Sequence, residues 1–315
     1  ETVNPAHYAF WHTTGTIGTF GAAAAACTIL GLNREQALNA LANAGTLAAG
    51  LQQAFRGDAM AKPMHGGHAA DTGLMCALTA GAGVTGIHDM LEGERGFGNA
   101  MCGGVDWSRA AATLGSDFTI LRMTVKNHAA CGHAHAAIDG ALQLQKDHGF
   151  KAADVARIDA GTYGPAVEIV GAQETSSAFE AKFSLPYCVA VALLDGSCRM
   201  KAFTDERRAD PAIHALAKKI FVAKDTECDA AFPKRRSAKV RVTLADGSVH
   251  EFYAPTRRGD PDAPLTDAEL SEKYRELATA EIGPERTLAL ENTIWSLQSL
   301  ARVADLYPGI RAAAE

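Results

Sequence analysis

Between residues 15 and about 115 the chain is built almost entirely from small residues set in helical patterns, and this constrains its fold more than any other feature. Ala and Gly give a helix little side chain to bury, so such helices hold together only where their backbones pack closely. Gly31 closes a first helix, and Asn33 opens a second, with Gln36 as capping-box partner and Leu38, Leu41, Leu47 and Leu51 as apolar positions. Residues 67–82 and 106–114, the latter capped by Asp106, predict two more helices. Gly81 to Gly86 matches G-x-G-x-x-G formally, but it follows a helical pattern instead of a strand and predicts a helix-terminating loop. The longest apolar stretch here, Gly21 to Leu32, falls well short of the roughly 20 residues of a membrane span.

The pattern changes at Phe118. Residues 118–125 form a short β-branched run that predicts a strand, followed by a helix at 133–147, a strand at 155–163 and a helix at 178–194. The runs Ala238 to Leu244 and Ser248 to Ala254 flank Asp246-Gly247, a hairpin signal. Thr266 with Glu269 makes a second capping box, and residues 286–304 predict an amphipathic helix. The expected fold class is α+β, with an all-helical domain over residues 1–117 and a smaller α+β domain over 118–285; residues 286–315 are expected to return to the helical part. A length of 315 residues suits two such domains.

Thirty Lys and Arg against thirty-six Asp and Glu leave a net charge of −6, which argues against a nucleic-acid surface and makes any attraction for anions local. The seven cysteines are scattered and never spaced C-x-x-C, so neither a disulfide framework nor a zinc ribbon is expected, and a reducing cytoplasm fits. The chain opens at Glu1 and runs at once into His and Gly motifs, so it is expected to begin inside a longer gene product.

Seven of the eleven histidines fall in three clusters: His7 and His12; His65 and His68; and His128, His133 and His135. His12 stands before Thr13-Thr14-Gly15-Thr16, a helix start where backbone N–H groups can meet an anion. An imidazole there either moves a proton to or from a bound carboxylic acid or simply packs the helix end. Lys62-Pro63-Met64-His65-Gly66-Gly67 sets a fixed positive charge before a helix entry, a carboxylate clamp or an exposed loop lysine. Lys126 again precedes small residues, Cys131 and the His133/His135 pair. These histidines and Cys131 are also possible zinc ligands, but the H-E-x-x-H pattern of hydrolytic zinc sites is absent, and no metal or cofactor is expected. There is no P-loop and no G-x-S-x-G nucleophile elbow.

The residues that carry these clusters resemble the MmgE/PrpD family over essentially the whole chain. The carriers are His12-Thr13-Thr14-Gly15-Thr16; Lys62-Pro63-Met64-His65-Gly66 with Ala69-Ala70 and Gly73; Leu91-Glu92-Gly93 with Gly96-Phe97; Lys126 with Cys131 and His135-Ala136-Ala137-Ile138-Asp139; and Lys182-Phe183-Ser184-Leu185-Pro186-Tyr187. The resemblance implies a helical domain joined to an α+β lid domain, with the C-terminal helix rejoining the helical part and the site in the cleft between. It implies a homodimer as well. His12, Lys62, Lys126 and Tyr187 match active-site positions of the family, while His65, Cys131 and His135 are motif members expected to bind substrate. The family carries a helical segment ahead of the His-Thr-Thr-Gly region, with an Asp and a His of the site, that this sequence does not contain. Asn127-His128-Ala129-Ala130 replaces the aromatic-and-proline stretch of many family dehydratases.

The implied activity is a cofactor-independent dehydratase, of the 2-methylcitrate type, that abstracts a proton next to a carboxylate of a small di- or tricarboxylate. Epimerisation of an amino-polycarboxylate such as iminodisuccinate, decarboxylation of the cis-aconitate type, and non-catalytic binding of polycarboxylates are the alternatives. His12 and Tyr187 are the acid–base candidates, and Lys62 and Lys126 answer the charge that builds on the carboxylate. The expected partner is a small polycarboxylate, with neither nucleic acid nor membrane.

Overall fold

The computed structural model describes residues 3–55, 59–302 and 306, and it divides into two compact units, residues 1–118 and 119–315. The fold is α+β, helical in its first part, with a small mixed sheet in the second.

The first unit is built on three helices, α1 (Thr13–Ile29), α2 (Arg34–Leu47) and α3 (Ala61–Gly81). The expected capping box opens α2: Asn33 Oδ1 accepts from the Gln36 amide at 3.0 Å, and Gln36 Oε1 accepts from the Asn33 amide at 3.0 Å. The helices meet through small residues. A Cβ on Gly73 of α3 would lie 2.5 Å from the Ala22 Cβ and 2.7 Å from the Thr19 carbonyl oxygen of α1, so any side chain there would push the two helices apart. Ala23, Ala26, Ala40, Ala44, Cys76, Ala77 and Ala80 fill the space between them. Larger side chains lie outside, with Ile29 85% and Met64 70% exposed and Leu74, Met75 and Leu78 exposed along α3. The loop after α3, with Gly83 at φ 98°, is the expected helix terminator.

Three local expectations are corrected. The helix α3 begins at Ala61, so Lys62 and His65 lie in its first two turns instead of before it. Residues 106–114 form only a 3-10 turn over Trp107–Arg109, although Asp106 does cap it by accepting from the Ser108 amide at 3.1 Å. Residues 118–125 are not a strand but a 3-10 turn over Thr119–Arg122, with Ile120 and Leu121 exposed. β-branched composition makes a strand only where a neighbour completes the ladder, and no described strand lies alongside.

The second unit holds the sheet, made of β1 (Val155–Thr162), β2 (Ile220–Lys224), β3 (Ala238–Leu244) and β4 (Val249–Ala254) in the order β2-β1-β3-β4. β1 and β2 are parallel, and the other pairs are antiparallel. The Asp246-Gly247 turn closes the β3–β4 hairpin as the sequence predicts, with Gly247 at φ 86° and Asp246 accepting from the Ser248 amide at 2.8 Å. One face of the sheet carries Ile158, Ala160, Val240 and Val242 into a continuous core with helices α4 (His135–His148) and α5 (Leu185–Asp195). Leu185 through Leu193 are all buried, so α5 runs through the middle of that core. The expected helix at 178–194 is interrupted at Phe183-Ser184, where Ser184 caps α5 by accepting from the Tyr187 amide and Pro186 occupies the first turn.

Two further helices, α6 (Asp267–Ile282) and α7 (Pro284–Trp295), pack on each other; Tyr274 donates to the Thr287 carbonyl and Arg275 pairs with Glu291 at 2.7 Å. Thr266 and Glu269 cap α6 reciprocally, as expected. The predicted 286–304 helix therefore ends at Trp295, before a 3-10 turn, and residues 303–304 lie outside the described residues. Among the described residues no helix is long and apolar enough to cross a membrane.

Candidate functional site

In the first unit the structure brings His12 and His65 together. His12 is the N-cap residue of α1, yet its side chain makes no capping bond. Its backbone amide donates to the Gly50 carbonyl at 2.8 Å, which fixes the chain entry, and its ring turns toward α3. There His12 Nδ1 lies 2.9 Å from His65 Nδ1. Two nitrogens at that distance need one hydrogen between them, so one ring donates while the other accepts. Burial, then the His65 ring, then the Lys62 ammonium hold the His12 pKa below the ordinary histidine value. Neutral His12 is thus the resting form near pH 7, and one ring hydrogen bridges two half-exposed imidazoles. Lys62, exposed, sits one turn before His65 on the same helix.

The other two histidines of these clusters are structural. His7 is fully buried, with Nε2 2.9 Å from Thr16 Oγ1 and Nδ1 3.2 Å from the Met101 carbonyl. His68 is exposed and pairs with Thr72 at 3.3 Å.

In the second unit the segment 126–135 gathers a separate cluster. Lys273 of α6 donates from Nζ to the Lys126 carbonyl at 2.6 Å, and Arg199 donates to Asn127 Oδ1 at 3.3 Å, so one cation holds the Lys126 backbone and another the neighbouring side chain. Lys126, Asn127, His128, Arg199 and Lys273 help line a cavity of about 230 Å³. His128 is buried, with Nε2 2.8 Å from Asp139 Oδ1, and the Arg258 amide donates to the other oxygen of Asp139 at 2.8 Å. His135 stacks edge-on against His128 with ring centroids 5.1 Å apart, and its Nε2 lies 3.2 Å from the Ala130 carbonyl. Burial, with His128, Lys126 and Arg257 adding to it, lowers the His135 pKa to about 3. His135 is therefore a neutral scaffold for the segment rather than a charged ligand. Cys131 is half-buried, and its amide donates to the Lys182 carbonyl at 2.8 Å.

The partners that surround His133 were not legible in the sequence. His133 Nδ1 lies 2.7 Å from the Tyr163 hydroxyl. Burial, followed by Arg236, Arg257 and Lys126, lowers the His133 pKa to about 4, and burial raises Tyr163 to about 12. Arg257 is buried and clamps Asp260 through Nε at 3.0 Å and Nη2 at 2.6 Å. Burial opposes the ionisation of Asp260, but hydrogen bonds from Arg257, Thr124 and Thr256 outweigh it and hold its pKa well below the usual carboxylate range. Arg236 and Arg257 come from the approach to β3 and the loop after β4, and only the sheet register carries them to residues 131–133. Paired arginines at 235–236 and 257–258 were the one available signal.

Tyr187 is placed differently from the expectation. It is fully buried in α5, its hydroxyl donates to the Ala202 carbonyl at 2.6 Å, and burial raises its pKa to about 12. Its proton is committed to that core hydrogen bond. A larger hollow of about 420 Å³ lies on the open face of the sheet, between Asp159, Asp225, Lys239 and Glu251. Lys239 there pairs with Asp225 and Glu227, and none of the expected site residues borders it. Among the described residues no three His, Cys, Asp or Glu side chains gather as a metal site.

Comparison with known proteins gives a consistent picture. The model of the MmgE/PrpD N-terminal domain matches residues 1–110, and that of the MmgE/PrpD C-terminal domain matches residues 128–298. The chain is 28% identical over 312 residues to the cis-aconitate decarboxylase-like protein oryM of Aspergillus oryzae, covering 94% of this chain and 64% of that one. It is 27% identical over 303 residues to the cis-aconitate decarboxylase of Homo sapiens, covering 92% and 60%. With the 2-methylcitrate dehydratase of Cupriavidus necator it shares 29% identity over 235 residues, covering 70% and 48%. The chain thus spans less than two thirds of the length of these curated relatives.

Proposed function

From the premise that the chain belongs to the MmgE/PrpD family, we propose that it serves a cofactor-independent lyase acting on a small di- or tricarboxylate. The observation that carries this reading is the His12–His65 pair, which shares a proton at 2.9 Å one helical turn from Lys62. Decarboxylation of a cis-aconitate-like substrate is the first reading, because relatives named for that activity align over 92–94% of this chain and the relative named as a dehydratase over 70%. In that reaction one C–C bond breaks, CO₂ leaves, and the electron pair passes into the neighbouring unsaturated carboxylate. Lysine ammonium groups such as Lys62 and Lys126 stabilise the charge that builds there. The shared histidine proton then forms the new C–H bond, and water replenishes it.

Dehydration is the second reading, supported by the dehydratase relative. Here the neutral pair removes a proton beside the carboxylate and the hydroxyl leaves as water. Epimerisation would use the same pair to take a proton and a second group to return one. Incubating the protein with cis-aconitate, 2-methylcitrate and other polycarboxylates in D₂O, followed by proton NMR, separates them. Loss of CO₂ with one deuteron gained supports decarboxylation, loss of water supports dehydration, and exchange with inversion supports epimerisation. A protein that turns over none of these substrates overturns the lyase reading.

A cytoplasmic homodimer completes the proposal. The exposed apolar row Met64, Leu74, Met75 and Leu78 on α3 supports self-association, and seven free cysteines fit a reducing compartment. Light scattering at micromolar concentration that returns a monomer would contradict the dimer.

A further inference from the structure

The stretch that follows α2 runs back across the entry of α1 and meets both site histidines. Ala48 ends α2 in extended backbone, with φ −62° and ψ 127°. The Gly50 carbonyl then accepts from the His12 amide at 2.8 Å, and Trp11 and Leu51 form an isolated antiparallel bridge. Gln52 donates from Nε2 to the Tyr8 carbonyl at 3.0 Å, which ties down the far end of the stretch.

Two glycines permit this approach. A Cβ on Gly15 would lie 2.2 Å from the Ala49 carbonyl oxygen and 3.4 Å from the Gly50 Cα, so backbone lies directly on backbone and no side chain fits there. Gly50 has φ 132°, which L side chains rarely adopt, and a Cβ on it would lie 3.3 Å from His65 Nδ1 and 3.5 Å from His65 Cε1. That Nδ1 is the atom 2.9 Å from His12 Nδ1. Gly50 thus holds the His12 backbone through its carbonyl and, having no side chain, leaves room for the ring edge that His65 presents to His12. The helices α1 and α3 also pack on each other at Gly73, but that contact lies about two turns further along α3. The local fit of the two rings is therefore set by the stretch at the helix entries.

We propose that residues 49–52 are a strap that fixes the His12–His65 contact, with Gly50 as the positioning residue for the hydrogen that bridges the rings and Gly15 as the seat beneath it. The consequence for turnover rests on the acid–base role given to the pair in the lyase reading, whereas the strap itself is read from the hydrogen bond without substrate.

The test uses nitrogen-15 NMR of histidine-labelled protein, in which one hydrogen between two Nδ1 atoms gives a coupling across the hydrogen bond. Steady-state kinetics on the polycarboxylates accompany it. The wild type should show the coupling. Gly50→Ala should lose it and lower kcat at least about tenfold with KM nearly unchanged, because the lysines keep their places while the proton carrier is displaced. Gly31→Ala is the control for backbone strain: Gly31 has φ 64°, but a Cβ there would meet nothing within 4 Å. That variant should lose stability alone and keep the coupling and kcat. Gln52→Ala adds no atoms, releases one end of the strap, and should weaken the coupling and kcat by less than Gly50→Ala does.

A wild type without the coupling, or a folded Gly50→Ala that keeps both coupling and kcat, overturns the strap. So does a Gly31→Ala protein that loses the coupling as fully as Gly50→Ala, since general destabilisation then explains both. If Gly50→Ala does not fold, Gln52→Ala decides: unchanged coupling and kcat overturn the proposal, and loss in both supports it. If Gly50→Ala removes the coupling while no polycarboxylate reacts even with the wild type, the lyase reading fails and the strap stands. If polycarboxylates react and Gly50→Ala alters neither coupling nor kcat, the strap fails and the lyase reading stands.

Discussion

In the first unit alanine, glycine and cysteine are buried between α1, α2 and α3 while Ile29, Met64, Leu74 and Leu78 face outward; in the second, Ile138, Leu144, Ile158, Leu185 and Ile213 fill one continuous core. Histidine divides by burial rather than by unit, since His7 of the first unit is buried and bonded to Thr16. His12 and His65 are half-buried side by side at helix entries and share a proton, whereas His128 and His135 are buried and fixed, one by Asp139 and the other by the Ala130 carbonyl. One residue type thus serves as proton carrier where backbones pack closely and solvent stays near, and as neutral scaffold where burial suppresses its charge. In the second unit the charge is carried instead by cations, of which arginine such as Arg257 keeps it when buried.

The largest expected effect breaks the first half of that contrast. His12→Gln should retain ligand binding and lose turnover by the 10²–10⁴ typical of a lost general acid–base. His65→Gln should lose a similar amount, and the double variant little more, because the two rings hold one proton. Steady-state turnover beside calorimetric affinity on the same preparations checks this. Additive losses would separate the pair into independent residues.

Acid should reveal the second half. The folded pKa of His135 is about 3 and that of His133 about 4, both below the unfolded value near 6.5. Both therefore stabilise the fold fully above pH 6.5, and that stability is lost as pH falls from 6.5 toward their folded values, because only the unfolded chain takes up protons there. For His135 the full linkage between pH 6.5 and pH 3 is on the order of 5 kcal/mol. Urea unfolding followed at pH 7 and pH 4 should show a clear drop in midpoint, and His133→Gln should flatten it.

Lysine substitutions are expected next in size. Lys62→Ala and Lys126→Ala should each lower turnover at least about tenfold, roughly 1.4 kcal/mol of transition-state stabilisation, with melting temperature nearly unchanged. Wild-type turnover in either variant would remove that lysine from the charge-stabilising role. Tyr187→Phe should keep turnover close to wild type and cost about 1 kcal/mol of stability, since a core hydrogen bond to Ala202 is lost. A large loss of turnover without loss of stability would return an acid–base role to Tyr187. The smallest effect is Asn33→Ala, about 1 kcal/mol from the lost cap of α2, read as a melting shift with turnover intact.

Sequence alone determined what depends on neighbours within a few residues of one another. The capping boxes at Asn33 and Thr266, the hairpin at Asp246-Gly247 and the division into a small-residue helical part and a mixed part follow from local hydrogen bonding and turn geometry, which a short window contains. His12, Lys62, His65, Lys126, Cys131 and His135 stood out as candidates because they cluster along the chain. Tertiary structure decided the rest. The run at 118–125 has strand composition but no partner strand, and a ladder is a property of two segments. The one-proton contact of His12 with His65 joins residues 53 apart, and Arg236, Arg257 and Tyr163 reach the 131–133 turn only through the register of the sheet. Tyr187 lies in the core because every side of α5 is covered, which no periodicity within the helix could reveal. Distances between residues far apart in sequence are fixed by packing, and packing is shared among all the elements at once.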